Sequence, residues 1–205
     1  MILTPNTQTN LYGYDDEFNN LIKLVNNDKL PNKILLSGQK GIGKSTLAYH
    51  LINFILSKDE EFSYNLDNFS INSKNRSFKL LVNGSNPNFY LVDVNFEKKS
   101  IDINQIRNLI NNLNKSSFNS KPRFILIDNI EALNLNSVNA LLKILEEPND
   151  NIFFILINNN KKVKQTLLSR CLNFKITLTN KKILNINNIL LKENIYDSIN
   201  EDLIN

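Results

Sequence analysis

Two rhythms of apolar positions run along this 205-residue chain. Ile34 to Leu36, Phe124 to Ile127 and Ile152 to Ile157 are unbroken apolar runs of strand length, the signature of strands buried on both faces. Tyr90, Val92 and Val94 alternate within Phe89 to Val94, as do Phe174, Ile176 and Leu178 further on, and both spacings predict strands. Between these segments the period lengthens to that of a helix. Phe18, Leu21, Ile22 and Val25 mark one helix, with Asp15 or Asp16 as its cap, and Leu47, Ala48, Leu51, Ile52 and Ile55 mark a second. Ile103, Ile106, Leu109, Ile110 and Leu113 mark a third, which Asp102 and Gln105 are spaced to open as a capping box. Val138, Leu141, Leu142 and Leu145 follow Asn136 as a cap and end at Glu146-Glu147-Pro148. Val163 to Leu168 fits a short helix, and the residues after 178 suggest more helical turns. Strands alternating with helices predict parallel βαβ units: a three-layer α/β fold with a ligand at the carboxyl edge of its sheet. Residues 58 to 88, largely polar and with Gly84 and Pro87 as turn signals, carry no readable period.

The junction of the first strand and second helix carries chemistry. Gly38-Gln39-Lys40-Gly41-Ile42-Gly43-Lys44-Ser45 satisfies G-x-x-x-x-G-K-[ST], followed by Thr46, and three of the chain's five glycines lie in it. Wrapping a triphosphate in backbone N–H groups requires a main chain with access to positive φ and no Cβ in the way. The following helix turns its positive end toward the anion. Lys44 is then expected to reach the β- and γ-phosphates of ATP, and the Ser45 hydroxyl to ligate Mg²⁺. The run Phe124 to Ile127 ends in Asp128, where a buried parallel strand delivers a carboxylate to the site, and Asp128 is expected to hold Mg²⁺ opposite Ser45.

Composition narrows the setting. Formal net charge is +4 with a pI near 9.0, yet no Lys/Arg block is dense enough to form a nucleic-acid arm. A single cysteine, Cys171, excludes an internal disulfide and a multi-cysteine zinc site, which suits a reducing, cytoplasmic location. No apolar run approaches 18 residues, so no membrane span is expected. Asn is so abundant that clusters such as Asn158-Asn159-Asn160 say little by themselves.

Asn139-Ala140-Leu141-Leu142-Lys143-Ile144-Leu145-Glu146-Glu147-Pro148, then an apolar strand, then Leu168-Ser169-Arg170-Cys171, resembles the bacterial clamp-loader branch of the AAA+ ATPases. Gly84-Ser85-Asn86-Pro87, Ile103-Asn104-Gln105-Ile106-Arg107 and Ile127-Asp128-Asn129-Ile130-Glu131-Ala132-Leu133-Asn134 are similar to the delta-prime family within that branch. The resemblance covers residues 10 to 178. It implies a P-loop AAA+ core over residues 1 to 178, with residues 179 to 205 supplying the beginning of a small helical lid and no helical collar. Arg170 takes the place of an arginine finger acting in trans on a neighbouring subunit's nucleotide. Asn158 takes that of the first sensor, and Tyr12 to Tyr14 lie where this branch packs backbone against adenine.

The departures carry weight too. Active members follow the strand-end aspartate with a glutamate that polarises the attacking water; here the residue is Asn129, and an amide accepts no proton at neutral pH. Glu131 is the nearest substitute in the sequence, and the cysteines of the motor subunits' zinc module are missing. The expectation is a delta-prime-like subunit that binds ATP and Mg²⁺ without efficient hydrolysis, and partners the other clamp-loader subunits, the sliding clamp and, through the assembly, primed DNA. The competing expectation is an autonomous AAA+ nucleoside triphosphatase in recombination or remodelling.

Overall fold

The structure, a computed structural model, describes residues 4–95, 98–115, 119–147 and 151–192, with no side-chain description beyond Ile189. The predicted termination of a helix at Pro148 and the residues after 192 lie outside the described residues. Five strands form one sheet: β1 (Lys33–Ser37), β2 (Phe89–Val92), β3 (Arg123–Ile127), β4 (Ile152–Asn158) and β5 (Leu172–Lys175). Their spatial order is β2-β3-β4-β1-β5, and every pairing is parallel. The helices are α1 (Asp15–Asn26), α2 (Lys44–Leu56), α3 (Arg76–Val82), α4 (Ile103–Leu113), α5 (Leu135–Glu146), α6 (Gln165–Leu168) and α7 (Asn180–Lys192).

Period-two burial divides the apolar runs between two cores. Ile34 and Leu36 of β1, Phe124 and Leu126 of β3, and Ile155 and Ile157 of β4 face α1 and α2. Leu35, Ile125, Ile127, Phe154 and Leu156 face α4 and α5. Both faces of the three central strands are therefore dry, which is why they read as continuous apolar runs and why parallel pairing is tolerated. Chain order sets the site. From β1 the chain crosses to the far edge at β2 and returns through β3 to β4; from β4 it passes over β1 to β5. Connections leave the adjacent ends of β1 and β4 in opposite directions, and a ligand crevice opens at such a switch point.

Local chemistry moves several boundaries. Asp102 accepts from the backbone N–H of Asn104 and Gln105, and the Gln105 side chain returns to the Asp102 N–H, so α4 opens with the expected capping box. Helix α5 is capped by Asn134 and not by Asn136: the Asn134 side chain accepts from Ser137 N–H at 2.9 Å. The bridge between Ile101 and Leu133 straightens the chain just before Asn134, so the helix starts two residues early. Helix α1 begins after Tyr14 without a side-chain cap; Asp15, Asp16 and Glu17 fill its first turn instead, where carboxylates complement the dipole. The last strand is displaced toward Leu172–Lys175, because Ile176, though its N–H still donates to Ser37 O, is already turning into the α1–α2 core.

Candidate nucleotide site

The loop between β1 and α2 is shaped by its glycines. Gly41 and Gly43 have φ of +82° and +91°, a region costly to residues with a Cβ. Gly38 serves a different purpose: a Cβ there would lie 2.3 Å from the carbonyl oxygen of Ile176, so only glycine lets β5 close against the loop. Tyr14 supports the loop from beneath, its ring 3.4 Å from where a Gly43 Cβ would stand and its hydroxyl donating to the Ile42 carbonyl.

Lys44, 3% exposed, opens α2 with its ammonium held by three neutral oxygens. Its Nζ donates to Gly38 O at 3.1 Å, to Gln39 O at 2.5 Å and to Asn159 Oδ1 at 2.9 Å. Burial lowers its pKa, with Asp128 and Glu131 pulling the other way. One residue on, the Ser45 hydroxyl donates to Asp128 Oδ2 at 2.5 Å, joining the ends of two segments 83 residues apart. Burial raises the Asp128 pKa, which the Ser45 bond opposes and Asp93 reinforces. A hydroxyl and a carboxylate this close are a hard-oxygen donor set that fits a Mg²⁺ ion. Among the described residues no cluster of three His, Cys, Asp or Glu side chains is placed to hold a metal by itself. Gln39, Lys40 and Thr46 complete the loop and first helical turn, with Gln39 and Lys40 exposed.

A second chain of contacts crosses the rim. Asn159, which sequence reasoning passed over, gives its amide Nδ2 to Asn129 Oδ1 at 2.8 Å and to Glu131 Oε1 at 3.0 Å. Asn158, the residue expected to face the phosphates, is folded away: its side chain bonds the backbone of Lys161 in both directions. The difference follows from the strand, since Asn158 still pairs with Ser37 as the last residue of β4, whereas Asn159 is past the edge of the sheet. Its signal was masked by the run of three Asn. Asn129, at φ +54°, also donates to Asp93 Oδ1 at 2.7 Å. The carboxylate of Glu131 is engaged by Asn159, and the amide of Asn129 by Asp93 and Asn159.

Beside the loop lies a cavity of about 300 Å³. Its walls are Gln8, Tyr12 and Tyr14 of the N-terminal segment, Ile42 of the loop, Thr46 of α2, and Ile183 and Ile186 of α7. Gly13, at φ +77°, lets α7 approach: a Cβ there would stand 2.7 Å from Ile186 Cδ1. Arg170 lies after α6. Its guanidinium donates to Thr166 O at 2.8 Å and forms an ion pair with Glu146 at the end of α5, so two of the motifs that carry the family resemblance meet in space.

A family model described as "DNA polymerase III, delta subunit" matches residues 14–180. The chain is 29% identical over 162 residues to the DNA polymerase III subunit delta' of Buchnera aphidicola subsp. Schizaphis graminum, covering 78% of this chain and 47% of that protein. To the delta' subunit of Buchnera aphidicola subsp. Baizongia pistaciae it is 30% identical, over 69% of this chain and 42% of that one. To the DNA polymerase III subunit gamma/tau of Mycoplasma genitalium it is 31% identical, over 85% of this chain and 28% of that one. The chain thus spans less than half the length of these relatives. With most of its described length matched from α1 to the start of α7, the chain belongs to the DNA polymerase III delta-subunit family, in the clamp-loader branch of the AAA+ ATPases.

Proposed function

We propose that this chain binds Mg·ATP at the β1–α2 loop, turns it over poorly, and acts inside a clamp loader by lending Arg170 to a neighbouring subunit. The observation that carries the reading is the convergence of Ser45 and Asp128 within 2.5 Å beside a buried Lys44. In this reading Lys44 leaves its neutral acceptors for the phosphates, and Ser45 and Asp128 hold the Mg²⁺ that neutralises phosphate charge. The glycine bend and the N-terminus of α2 receive the anion. The base enters the cavity between Tyr12, Ile42 and α7. Asn159 holds the sensor position, because its Oδ1 already faces the Lys44 ammonium.

Poor turnover follows from the acceptor groups. Asn129 cannot take a proton from water, and both oxygens of Glu131 face Asn159, which makes Glu131 an anchor for the sensor amide more than a base. Arg170 is pre-oriented by Glu146 and 32% exposed in its side chain, so a neighbour's phosphates can compete for its guanidinium. The relatives' names place them in DNA polymerase III; the partners proposed for this chain are accordingly other clamp-loader subunits, the sliding clamp and, through them, primed DNA, in the cytoplasm. Titration calorimetry with Mg·ATP tests the reading: the native chain binds, and Lys44→Ala does not. Steady turnover by the isolated chain, abolished by Asp128→Ala, would instead establish an autonomous nucleoside triphosphatase.

A further inference from the structure

Helix α2 and the residue that caps its C-terminus carry three polar side chains on one stripe, His50, Asn53 and Ser57, and all three are 0% exposed. They face the segment from 58 to 75, which the apolar pattern leaves unread. Asn53 Nδ2 donates to Asn75 Oδ1 at 3.1 Å, Tyr64 N–H donates to Ser57 Oγ at 3.2 Å, and Asn75 Nδ2 donates to the Phe62 carbonyl at 2.7 Å. Buried polar groups cost stability unless they are hydrogen-bonded; here the His50 ring, the Asn53 amide Nδ2 and the Ser57 hydroxyl are bonded, while Asn53 Oδ1 has no partner among the described residues, and these bonds hold the segment in place.

His50 does more than hold the segment. Its Nε2 lies 3.1 Å from the carbonyl of Gln8, and its Nδ1 2.7 Å from the Tyr64 hydroxyl. A carbonyl only accepts, so Nε2 carries the proton and Nδ1 accepts from Tyr64. Gln8 is a wall residue of the cavity beside the phosphate loop. The same stretch of chain is tied to the segment at two more points: Ile71 N–H donates to Thr9 O at 2.8 Å, and Leu11 N–H to Phe69 O at 3.0 Å. The wall of the cavity is thus an extended strip pinned from behind, with the ring of His50 as the link between α2 and the strip.

We propose that His50 is a positioning residue for the base half of the nucleotide: with segment 58–75 behind it, it fixes the Gln8 to Tyr12 strip and so sets how much the base adds to binding. The inference rests on the nucleotide reading above, and inorganic tripolyphosphate separates the two, because it needs the phosphate loop but not the cavity. Calorimetry is run with Mg·ATP and Mg·tripolyphosphate on the native chain, His50→Phe and Tyr64→Phe. The native chain binds ATP more tightly than tripolyphosphate. His50→Phe strands a buried carbonyl, so its ATP affinity falls roughly tenfold while its tripolyphosphate affinity stays. Tyr64→Phe spares the Gln8 bond and keeps the native ratio. Equal loss of both ligands in His50→Phe, no loss of either, or an equal drop of the ratio in Tyr64→Phe overturns the inference. So does equal native affinity for the two ligands, which leaves the phosphate-loop reading intact; binding of neither removes both. A second readout needs no variant: in the native chain Mg·ATP slows amide exchange at Leu11 and Ile71 and Mg·tripolyphosphate does not, and equal protection by both or by neither rejects the role.

Discussion

At the scale of single residues, the site is a set of short links whose removal has separable effects. Lys44→Ala takes away the buried cation of the loop, and Mg·ATP binding is expected to fall below detection in calorimetry. Asn159→Ala strips the Lys44 contact and is expected to weaken ATP several-fold, whereas Asn158→Ala, whose side chain bonds Lys161 alone among the described residues, costs stability and leaves affinity near native. The chain's one histidine offers a pH test. Burial lowers the pKa of His50 from 6.5 to about 4, with the bond to Gln8 opposing that shift. The unfolded chain therefore binds the extra proton first, so stability is full above about pH 6.5 and declines as pH falls toward 4, by at most about 3 kcal/mol. Urea unfolding between pH 7 and pH 4.5 should show that decline in the native chain and lose it in His50→Phe; the same slope in both would assign it to carboxylates.

Elements differ in how far the sequence exposed them, for physical reasons. Strands β1, β3 and β4 were legible because both their faces are dry, and the capping box of α4 because its two members are local. The pairing of Ser45 with Asp128 was legible because two motifs 83 residues apart each specify one half of it. Segment 58–75 was opaque: its order comes from buried Asn, Ser, His and Tyr side chains, which in an Asn-rich chain look the same as solvated ones. The edge strand β5 was misplaced by its alternation, since Ile176 and Leu178 owe their burial to the core and to the Gly13 contact and not to the sheet. Asn136 was mistaken for a cap because a residue two places ahead of a stripe is a weaker marker than a chain already straightened by Ile101. Asn134→Ala should accordingly cost about 1 kcal/mol by urea unfolding, and Asn136→Ala less than half of that. Gly13→Ala strains a left-handed residue and pushes on Ile186, so it should destabilise by about 1 kcal/mol and weaken ATP more than tripolyphosphate.

For the whole molecule, the sheet order separates the groups proposed to bind nucleotide from the arginine proposed to serve a neighbour. The switch point between β1 and β4 gathers the nucleotide groups at one edge, while Arg170 follows α6 with no contact to them among the described residues, held by Glu146. In the proposed reading, binding is a property of the chain and the finger a property of an assembly. In a reconstituted clamp loader, Arg170→Ala should lower assembly ATPase by at least a hundredfold at the site it serves, with this chain's own ATP affinity unchanged. Unchanged assembly ATPase would remove the finger. The most direct test of the central claim is calorimetry of ATP with and without Mg²⁺ on the native chain, Ser45→Ala and Asp128→Asn. Tight binding that needs Mg²⁺ in the native chain, with that dependence lost in both variants, is the predicted result; ATP affinity indifferent to Mg²⁺, or untouched by either substitution, would contradict it.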